Sequence, residues 1–267
     1  AICSFSPVMS NGVLSVQRLV SLPAGAVKAF PEIEPLRCGS VFVASDPPDC
    51  QLGSGGGTAH LLAEGCRAGR GNPFREWLAA SRKLIVHGSG ESRRLPAYAA
   101  CGKPLTPVPL LRGMPGQRPD QILLDLQLQT YERLFWYAPA CYRVMVTCGD
   151  TLLRVHRWLP RYPEADVLIF GLASSHEEAS HHGVILCPTG SPDRMTGFLQ
   201  KPPVERLHEL EKEFVFHLDT GMWLLSERAV MFLMRKCGWD ETKGAFAGGR
   251  AAFYDLFGEF GTALGDR

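Results

Sequence analysis

A glycine pair, two adjacent arginines and a lysine lie close together in the segment HGSGESRRLPAYAACGKPLTPVP, at residues 87–109. Glycines such as Gly88 and Gly90 let backbone N–H groups approach phosphate oxygens closely. Arg94 offers a planar fork of donors, and Lys103 offers a compact positive charge. These residue types fit a triphosphate attacked at its α-phosphorus, because negative charge accumulates on the oxygens there. The pattern also occurs in ordinary loops, so the segment alone leaves both interpretations open.

A second glycine-rich segment, LGSGGGTAHLLAEG at residues 52–65, follows the first predicted strand and enters a helix. It resembles a dinucleotide-binding fingerprint, but Thr58 stands where the third glycine belongs, and no acidic residue is clearly placed for a ribose. A P-loop ATPase is not favoured either, because Gly102 and Lys103 are followed by a proline instead of Ser or Thr.

Two aspartates are candidates for binding a metal ion. Asp150 ends the segment VTCGD, at the carboxyl end of a predicted strand, and the adjacent Gly149 permits close approach. A carboxylate there suits Mg²⁺ held against phosphates, and the alternative is an N-cap for a helix that begins near Thr151. Asp255 lies among apolar residues, where an unpaired carboxylate is costly, and its alternative is a solvent-facing helix position.

The histidine-rich segment SHEEASHH suggests a metalloprotease, but its spacing does not fit. His176 and His181 are five residues apart, whereas zinc-binding histidines of that class are four apart on one helix face. We therefore predict a surface loop for both residues.

Strand-like and helix-like segments alternate along the chain. Residues 40–45, 83–88, 143–148 and 165–171 are near-continuous apolar runs, typical of strands buried on both faces. Helical patterns separate them, as in NPFREWLAASRK and in residues 120–138. FVFHLDTGMWLLS predicts a strand or hairpin, and ERAVMFLMRK and GRAAFYDLFGEFGTALG predict helices. The alternation predicts an α/β fold with a mostly parallel sheet covered on both faces.

Composition excludes some classes of protein. The 267 residues are 45% hydrophobic with a net charge of +1, so a full core is expected and no bulk charge favours nucleic acid or a membrane surface. No apolar run is long enough to span a membrane, and no secretory signal is recognisable. The 9 cysteines include no C-x-x-C pair, which predicts reduced thiols in a cytoplasmic protein. The start at Ala1 instead of Met suggests a fragment.

Seven segments occur in the order found in fucose-1-phosphate guanylyltransferases: SDPPDCQLGSGGGTAHLL, LIVHGSGESRRLPAYAACGKPLTPVP, VTCGD, HHGVILCP, LQKPP, HLDTGMWLLSERAV and FYDLFGEFGTALG. The chain resembles this family over residues 16–265, as it occurs in the N-terminal half of bifunctional fucokinase/GDP-fucose pyrophosphorylases. The resemblance implies a Rossmann-like, GT-A-like nucleotidyltransferase domain with a mixed, mostly parallel sheet flanked by helices. It assigns residues 1–15 to a disordered extension and residues 16–267 to the domain, truncated before the usual C-terminal β-helix and a GHMP-type sugar kinase.

The resemblance also implies a reaction. GTP and L-fucose 1-phosphate would give GDP-L-fucose and pyrophosphate, by in-line attack on the α-phosphorus with Mg²⁺ as cofactor and without a covalent intermediate. No nucleic acid or membrane partner is expected.

Residue roles carry over from the matching motifs. Arg94 would hold the leaving pyrophosphate, Lys103 would meet the α-phosphate or the attacking phosphate, and Asp150 and Asp255 would hold Mg²⁺. The residues expected to contact the nucleotide are Gly55, Gly56, Gly57, Gly88, Gly90 and Ser92. Those expected to contact the sugar and its phosphate are His182, Gly183, Lys201 and Asp219. The alternatives are a solvated lysine for Lys201 and a hairpin turn for Asp219.

Two positions depart from the family pattern. Ser89 stands where related sequences tend to have glycine, and its side chain would crowd the nucleotide if that position needs a positive φ. Glu91 adds negative charge beside the phosphates. These departures keep open a non-catalytic domain that binds a nucleotide sugar and regulates an attached sugar kinase. The same chemistry with another base or sugar is a further alternative, and a Rossmann oxidoreductase is the least favoured.

Overall fold

The computed structural model describes residues 15–69, 73–89, 96–108, 120–153 and 162–260. Three predicted site residues, Gly90, Ser92 and Arg94, lie outside these ranges together with Glu91, as does almost all of the predicted N-terminal extension. No helix in the described ranges is long and apolar enough to cross a membrane.

A mixed sheet of eight strands forms the centre of the molecule, in the order β2-β1-β3-β4-β8-β6-β7, with β5 on the other edge of β8. The strands are β1 (Val16–Ser21), β2 (Phe42–Ala44), β3 (Arg82–His87), β4 (Tyr142–Cys148), β5 (Val167–Leu172), β6 (Gly183–Pro188), β7 (Gly197–Gln200) and β8 (Phe214–Ser226). The pairings show that the six strands from β1 through β6 point in one direction, whereas β7 and β8 point in the opposite direction. This confirms the mixed, mostly parallel sheet that the sequence predicts.

Helices cover both faces of this sheet. They are α1 (Ala24–Ile33), α2 (Gly53–Ala68), α3 (Phe74–Ala80), α4 (Leu123–Tyr137), α5 (His176–Ala179), α6 (Val204–Leu210) and α7 (Glu227–Lys236). Buried residues of α2, α3 and α7 form one core, and those of α1 and α4 form a second core on the opposite face. A small hairpin, β9 (Trp239–Asp240) with β10 (Ala245–Phe246), completes the described elements.

The continuous apolar runs of β3 and β4 follow from their central position. Along β3, Ile85 enters the first core while Leu84 and Val86 enter the second. Successive side chains of a strand point to opposite faces, so a strand covered by helices on both sides needs apolar residues at every position. Each fully buried aliphatic side chain contributes about 1.5–3 kcal/mol relative to exposure.

The helix predicted for residues 249–265 is largely wrong. Residues 251–255 have no regular secondary structure, and Leu256–Phe260 form a π-helical turn. The reason is a competing set of backbone hydrogen bonds with the start of α2. The Tyr254 carbonyl accepts from the N–H groups of Gly55 (2.8 Å) and Gly56 (3.0 Å), and Tyr254 N–H donates to Leu52 O (3.0 Å). Backbone groups used in this way cannot also bond within a local helix.

Lys83 is an ammonium group inside the first core. It has no exposed surface, and its Nζ donates to Trp77 O, Ser81 O and Ser81 Oγ, each at 2.7 Å. Burial lowers the pKa of Lys83 from 10.5 to about 7, because a charge removed from water is costly and the three acceptors offset only part of that cost.

We predict that this shift makes stability depend on pH. Between pH 7 and 10 the unfolded chain holds the Lys83 proton more tightly than the folded chain, so the free energy of unfolding rises with pH in this window. Relative to Lys83→Met, the wild-type protein should gain about 2 kcal/mol from pH 7 to pH 9, measured by urea unfolding. Other groups titrate equally in both proteins and cancel in the difference. If the free energy of unfolding changed with pH in the same way in both proteins, the lowered pKa of Lys83 would be contradicted.

Candidate active site

The candidate site lies at the carboxyl ends of three adjacent parallel strands. Ser21 at the end of β1 pairs with His87 at the end of β3, and His87 pairs with Cys148 at the end of β4. Ligands of open α/β sheets bind at this edge, outside the carboxyl ends of the strands. The loops that follow β3 and β4 carry Gly88 and Asp150, two of the predicted site residues.

Pro104 packs between two glycines at these strand ends. A Cβ at Gly88 would lie 2.7 Å from Pro104 Cγ and from Ser21 O, and a Cβ at Gly149 would lie 2.6 Å from Pro104 Cγ and from His87 O. Contacts this short are excluded for any other residue, so both positions need glycine. Pro104 belongs to a short 3-10 turn, Lys103–Leu105, which Gly102 enters with a φ of +88°. The two glycines therefore let the turn that carries Lys103 approach the sheet.

Lys103 and Asp150 form an ion pair, which we call the lysine–aspartate pair. Lys103 Nζ donates to Asp150 Oδ2 at 2.6 Å, and the two side chains are 28% and 51% exposed. Both therefore remain accessible to a ligand. Residues 151–153 are not helical, so the alternative N-cap role of Asp150 is not observed.

Helix α4 holds the turn that bears Asp150. Tyr131 Oη and Gln127 Nε2 both donate to Thr151 O, at 2.7 and 2.9 Å. Both residues are fully buried. Sequence analysis missed that these two residues position the turn. The signal that could have revealed this role is a glutamine on the otherwise apolar face of the helix.

A network around His87 supports the loop after β3. His87 Nε2 is 2.8 Å from Thr58 Oγ1, and His87 Nδ1 is 3.2 Å from Ser21 Oγ. Ser21 Oγ also accepts from Ser89 Oγ at 2.9 Å and from Gly88 N–H at 3.2 Å. Burial lowers the pKa of His87 to about 4, so the ring is neutral near pH 7 and accepts at one nitrogen. His87 and Thr58 thus tie α2 to the phosphate-binding candidate Gly88.

Ser89 does not carry the strain expected from the family comparison. The described non-glycine residues with positive φ are Asp49 and Lys201, so Ser89 has an ordinary backbone conformation. Its hydroxyl is used in the network around His87. The expectation of crowding through a positive φ is therefore wrong.

The second glycine segment begins α2 and is not a loop. Gly55 and Gly56 donate their N–H groups to Tyr254 O, and a Cβ at either would lie 2.5–2.7 Å from Ala252 O or Tyr254 Cδ1. Because Gly55 and Gly56 have no side chains, residues 252–254 can pack directly against them. Their amides are hydrogen-bonded there and are not available to a phosphate in this arrangement. Gly57 is different, because a Cβ there would meet only Asp46 Oδ1 and His87 Cε1, at ordinary distances of 3.6 and 3.7 Å. Gly57 thus faces the His87 network.

Asp255 also lies at the start of α2. Its Oδ1 accepts from Ser54 Oγ (2.6 Å) and from Phe257 N–H (3.1 Å), in the turn that precedes the π-helical residues. Within the described ranges, no hydrogen bond or ion pair joins it to Asp150. As hard oxygen donors, both carboxylates suit Mg²⁺. Asp150 is half exposed and bonded to Lys103, whereas Asp255 is bonded to Ser54 and within its own turn.

The four residues predicted on the sugar side lie together. Lys201 N–H donates to His182 O at 2.9 Å, and Gly183 lies opposite Gln200 in the β6–β7 pair. A Cβ at Gly183 would lie 3.3 Å from Asp219 Cβ. Lys201 has a φ of +47°, a left-handed conformation that costs a non-glycine residue energy and is enriched at functional sites.

Asp219 connects this group to the strand ends. Its Oδ1 accepts from Gly221 N–H (2.9 Å) and Trp223 Nε1 (3.2 Å), and burial raises its pKa to about 6. The residue lies inside the continuous strand β8, so neither a hairpin nor a turn residue is observed there. Burial, together with the charges of Asp150 and Asp219, raises the pKa of Cys148 to about 12. Both carboxylates therefore act on the thiol at the end of β4.

Sequence analysis missed Asp46, which follows β2. Burial raises its pKa, while a hydrogen bond to the backbone of Leu52 and the charge of His60 oppose the rise. Its carboxylate faces Gly57. An aspartate ahead of two prolines is also typical of a turn, so the sequence carries no pattern that separates a turn from a site here.

Comparison with known proteins identifies the family of the chain. The fucose pyrophosphorylase domain family matches residues 75–263. Over 252 residues the chain is 40% identical to an L-fucokinase/L-fucose-1-P guanylyltransferase from Bacteroides fragilis, covering 94% of this chain and 26% of that protein. Over 160 residues it is 28% identical to a bifunctional fucokinase/GDP-fucose pyrophosphorylase from Arabidopsis thaliana, covering 55% of this chain and 15% of that protein.

The chain thus belongs to the fucose pyrophosphorylase domain family, which confirms the resemblance found in the sequence. It spans about a quarter or less of the length of the two relatives.

We predict that Gly149→Ala destabilises the site region. The new methyl group would collide with the His87 carbonyl and with Pro104, which are backbone and ring atoms that cannot rotate away. The free energy of unfolding should fall by about 1–3 kcal/mol, as for overpacking. Gly190→Ala is the matched control, since a Cβ at Gly190 would have no atom of the described residues within 4 Å. Equal stabilities of the two variants in chemical denaturation would refute the packing argument.

Proposed function

We propose that this chain is a sugar-1-phosphate guanylyltransferase domain that makes GDP-L-fucose and pyrophosphate from GTP and L-fucose 1-phosphate. The observation that carries the proposal is the lysine–aspartate pair at the carboxyl ends of β3 and β4. Two findings support the choice of substrates: the chain belongs to the fucose pyrophosphorylase domain family, and its two relatives are named for this activity.

The proposed reaction is a single displacement. A phosphate oxygen of L-fucose 1-phosphate bonds to the α-phosphorus of GTP. The bond between that phosphorus and the oxygen bridging to the β-phosphate breaks, and this oxygen leaves with pyrophosphate. The protein needs no nucleophile, so its work is to orient the two phosphates and to balance their negative charge.

Lys103 balances charge on the reacting phosphates. In the present structure its ammonium is neutralised by Asp150. Both side chains are partly exposed, so rotation of the lysine moves the ammonium from the carboxylate to a phosphate oxygen without disturbing the core. Asp150, with Asp255 as a second carboxylate, would hold Mg²⁺, which when bound neutralises charge on the triphosphate.

The remaining residues orient the substrates. Gly88 and Gly57, joined through His87 and Thr58, border the nucleotide side, and Arg94 is proposed to hold the leaving pyrophosphate. On the other side, Lys201 offers its exposed ammonium to the sugar phosphate, and Asp219 accepts hydrogen bonds from sugar hydroxyls. His182 and Gly183 lie between these two residues in space.

We also propose that the chain is one part of a longer bifunctional protein. Both relatives carry a fucokinase activity in their names, and this chain covers 26% and 15% of their lengths. A β-helix and a GHMP-type sugar kinase are the parts that this proposal adds.

The test is pyrophosphate release by the purified chain with Mg²⁺. GTP, ATP, UTP and CTP are each supplied with L-fucose 1-phosphate, with D-mannose 1-phosphate, or without a sugar phosphate. Release with GTP and L-fucose 1-phosphate is the expected result. Release with another pair would instead establish the same chemistry with other substrates. If no pair reacts and GDP-L-fucose still raises the melting temperature, the domain binds a nucleotide sugar without catalysis.

Removing either member of the lysine–aspartate pair should reduce turnover with little effect on folding. Lys103→Met should lower kcat by about 10²-fold, since the ammonium stabilises charge that develops in the transition state. Asp150→Asn should remove most of the Mg²⁺-dependent activity while the melting temperature stays near that of the wild type. Lys28→Met and Asp193→Asn, at exposed positions outside the site, are the controls. A rise in KM alone for Lys103→Met would reduce Lys103 to a binding role.

A further inference from the structure

A cluster of two histidines and a glutamate lies outside the candidate active site. His176 begins α5, His208 lies in the last turn of α6, and Glu211 follows that helix; we call these three residues the histidine cluster. Each can offer one metal-ligand atom, and the three atoms lie within 4.8 Å of one another. The prediction of a surface loop is wrong for His176, which begins α5, and is confirmed for His181, which lies exposed in the turn after that helix.

The two imidazole rings lie against each other, and both contact the carboxylate of Glu211. The imidazoles of His176 and His208 are stacked, with centroids 4.1 Å apart and planes 25° from parallel. His176 Nε2 lies 2.7 Å from Glu211 Oε2, and His208 Nδ1 lies 3.5 Å from Glu211 Oε1. In a tetrahedral zinc site with bonds near 2.1 Å, ligand atoms are about 3.4 Å apart. The two contacts to Glu211, at 2.7 and 3.5 Å, bracket that spacing, and all three ligand atoms lie within 4.8 Å of one another.

The contacts within the histidine cluster leave bonding capacity unused. His176 Nε2 is shielded from solvent, and its short contact with Glu211 is not aligned as a hydrogen bond. Two imidazoles stacked this closely repel each other if both are protonated. A divalent cation resolves both problems, because it is bound by neutral imidazole nitrogens and by a carboxylate at the same time.

The cluster joins two helices that also share a small apolar core. Helices α5 and α6 pack on β6 through a small core whose buried members are Ala179, Val184, Leu186 and Leu207. The chain leaving α5 leads to His182 and Gly183, and Lys201 precedes α6 by two prolines. An ion bound by both elements would therefore fix the part of the fold that carries these residues.

We propose that His176, His208 and Glu211 bind one divalent transition-metal ion, of which Zn²⁺ is the best representative. Two imidazoles and one carboxylate are a ligand set that favours zinc over the hard cations Mg²⁺ and Ca²⁺. The fourth coordination position is open to water, since His208 and Glu211 are 55% and 46% exposed. The site is distinct from the lysine–aspartate pair, and its presence does not depend on the proposed reaction.

Zinc binding by the purified, metal-free chain tests this proposal. Isothermal titration with Zn²⁺ should show one ion bound per chain, with affinity unchanged in His181→Ala. His181 is a matched control, since it is an exposed histidine near the end of α5 that lies outside the cluster. His208→Ala and Glu211→Gln should each weaken binding by at least about tenfold, because even the loss of an outer hydrogen-bond partner of a zinc ligand has that effect. Both side chains are largely exposed, so these variants should fold normally.

The cysteines of the chain could also bind zinc. Titration with Co²⁺ distinguishes binding by cysteine thiolates from binding by the histidine cluster. Co²⁺ bound by imidazole and carboxylate gives visible d–d bands without a near-ultraviolet thiolate charge-transfer band. The expected spectrum has the visible bands alone, and they should disappear in His208→Ala. A thiolate band, equal binding by wild type and His208→Ala, or no binding of either metal would each overturn the proposal.

Discussion

The packing of Pro104 against Gly88 and Gly149 is the contact on which the candidate site depends. Two adjacent parallel strands, β3 and β4, end at the same level, and each is followed immediately by a glycine. A proline ring can then lie against both strand ends, at a distance where any Cβ would collide. That ring fixes the turn whose first residue is Lys103, and the lysine reaches Asp150 on the neighbouring loop. The glycines thus serve a steric purpose before any ligand is considered.

Strand β8 has a comparable role on the other side of the site. Its 13 residues pair with β4 near the C-terminal end and with β6 near the N-terminal end, while β5 occupies the opposite edge. At its middle, Gly221 adopts a φ of +71°, and its Cα approaches Cys148 so closely that a Cβ would lie 2.5 Å from the sulfur. This close contact keeps Asp219 next to the end of β4. The groups proposed for nucleotide and sugar therefore belong to one connected set of strands.

Charge in this region is balanced by specific partners. Asp150 is compensated by Lys103, whereas Asp219 has hydrogen-bond donors from Gly221 and Trp223 but no cationic partner among the described residues, and its pKa rises to about 6. The charges of both carboxylates act on the buried thiol of Cys148 and raise its pKa. A substrate carrying several negative charges would meet the exposed or partly exposed ammonium groups of Lys103 and Lys201. This distribution is consistent with transfer between two phosphate groups.

The sequence by itself determined the class of fold and the family. Apolar runs predicted β3, β4 and β5, a periodic apolar face predicted α4, and ordered motifs identified the fucose pyrophosphorylase domain, because these signals are local or depend on order along the chain. Tertiary structure decided which residues meet. Lys103 contacts Asp150 across 47 positions, and Gly55 and Gly56 bond to Tyr254 instead of remaining free, which also prevented the predicted helix after residue 249. The partners of His176 are His208 in α6 and Glu211 just after it, which are too distant in sequence for a spacing rule to predict. Side-chain type and local periodicity are present in a sequence, whereas contacts between distant segments arise only when the sheet brings the ends of its strands together.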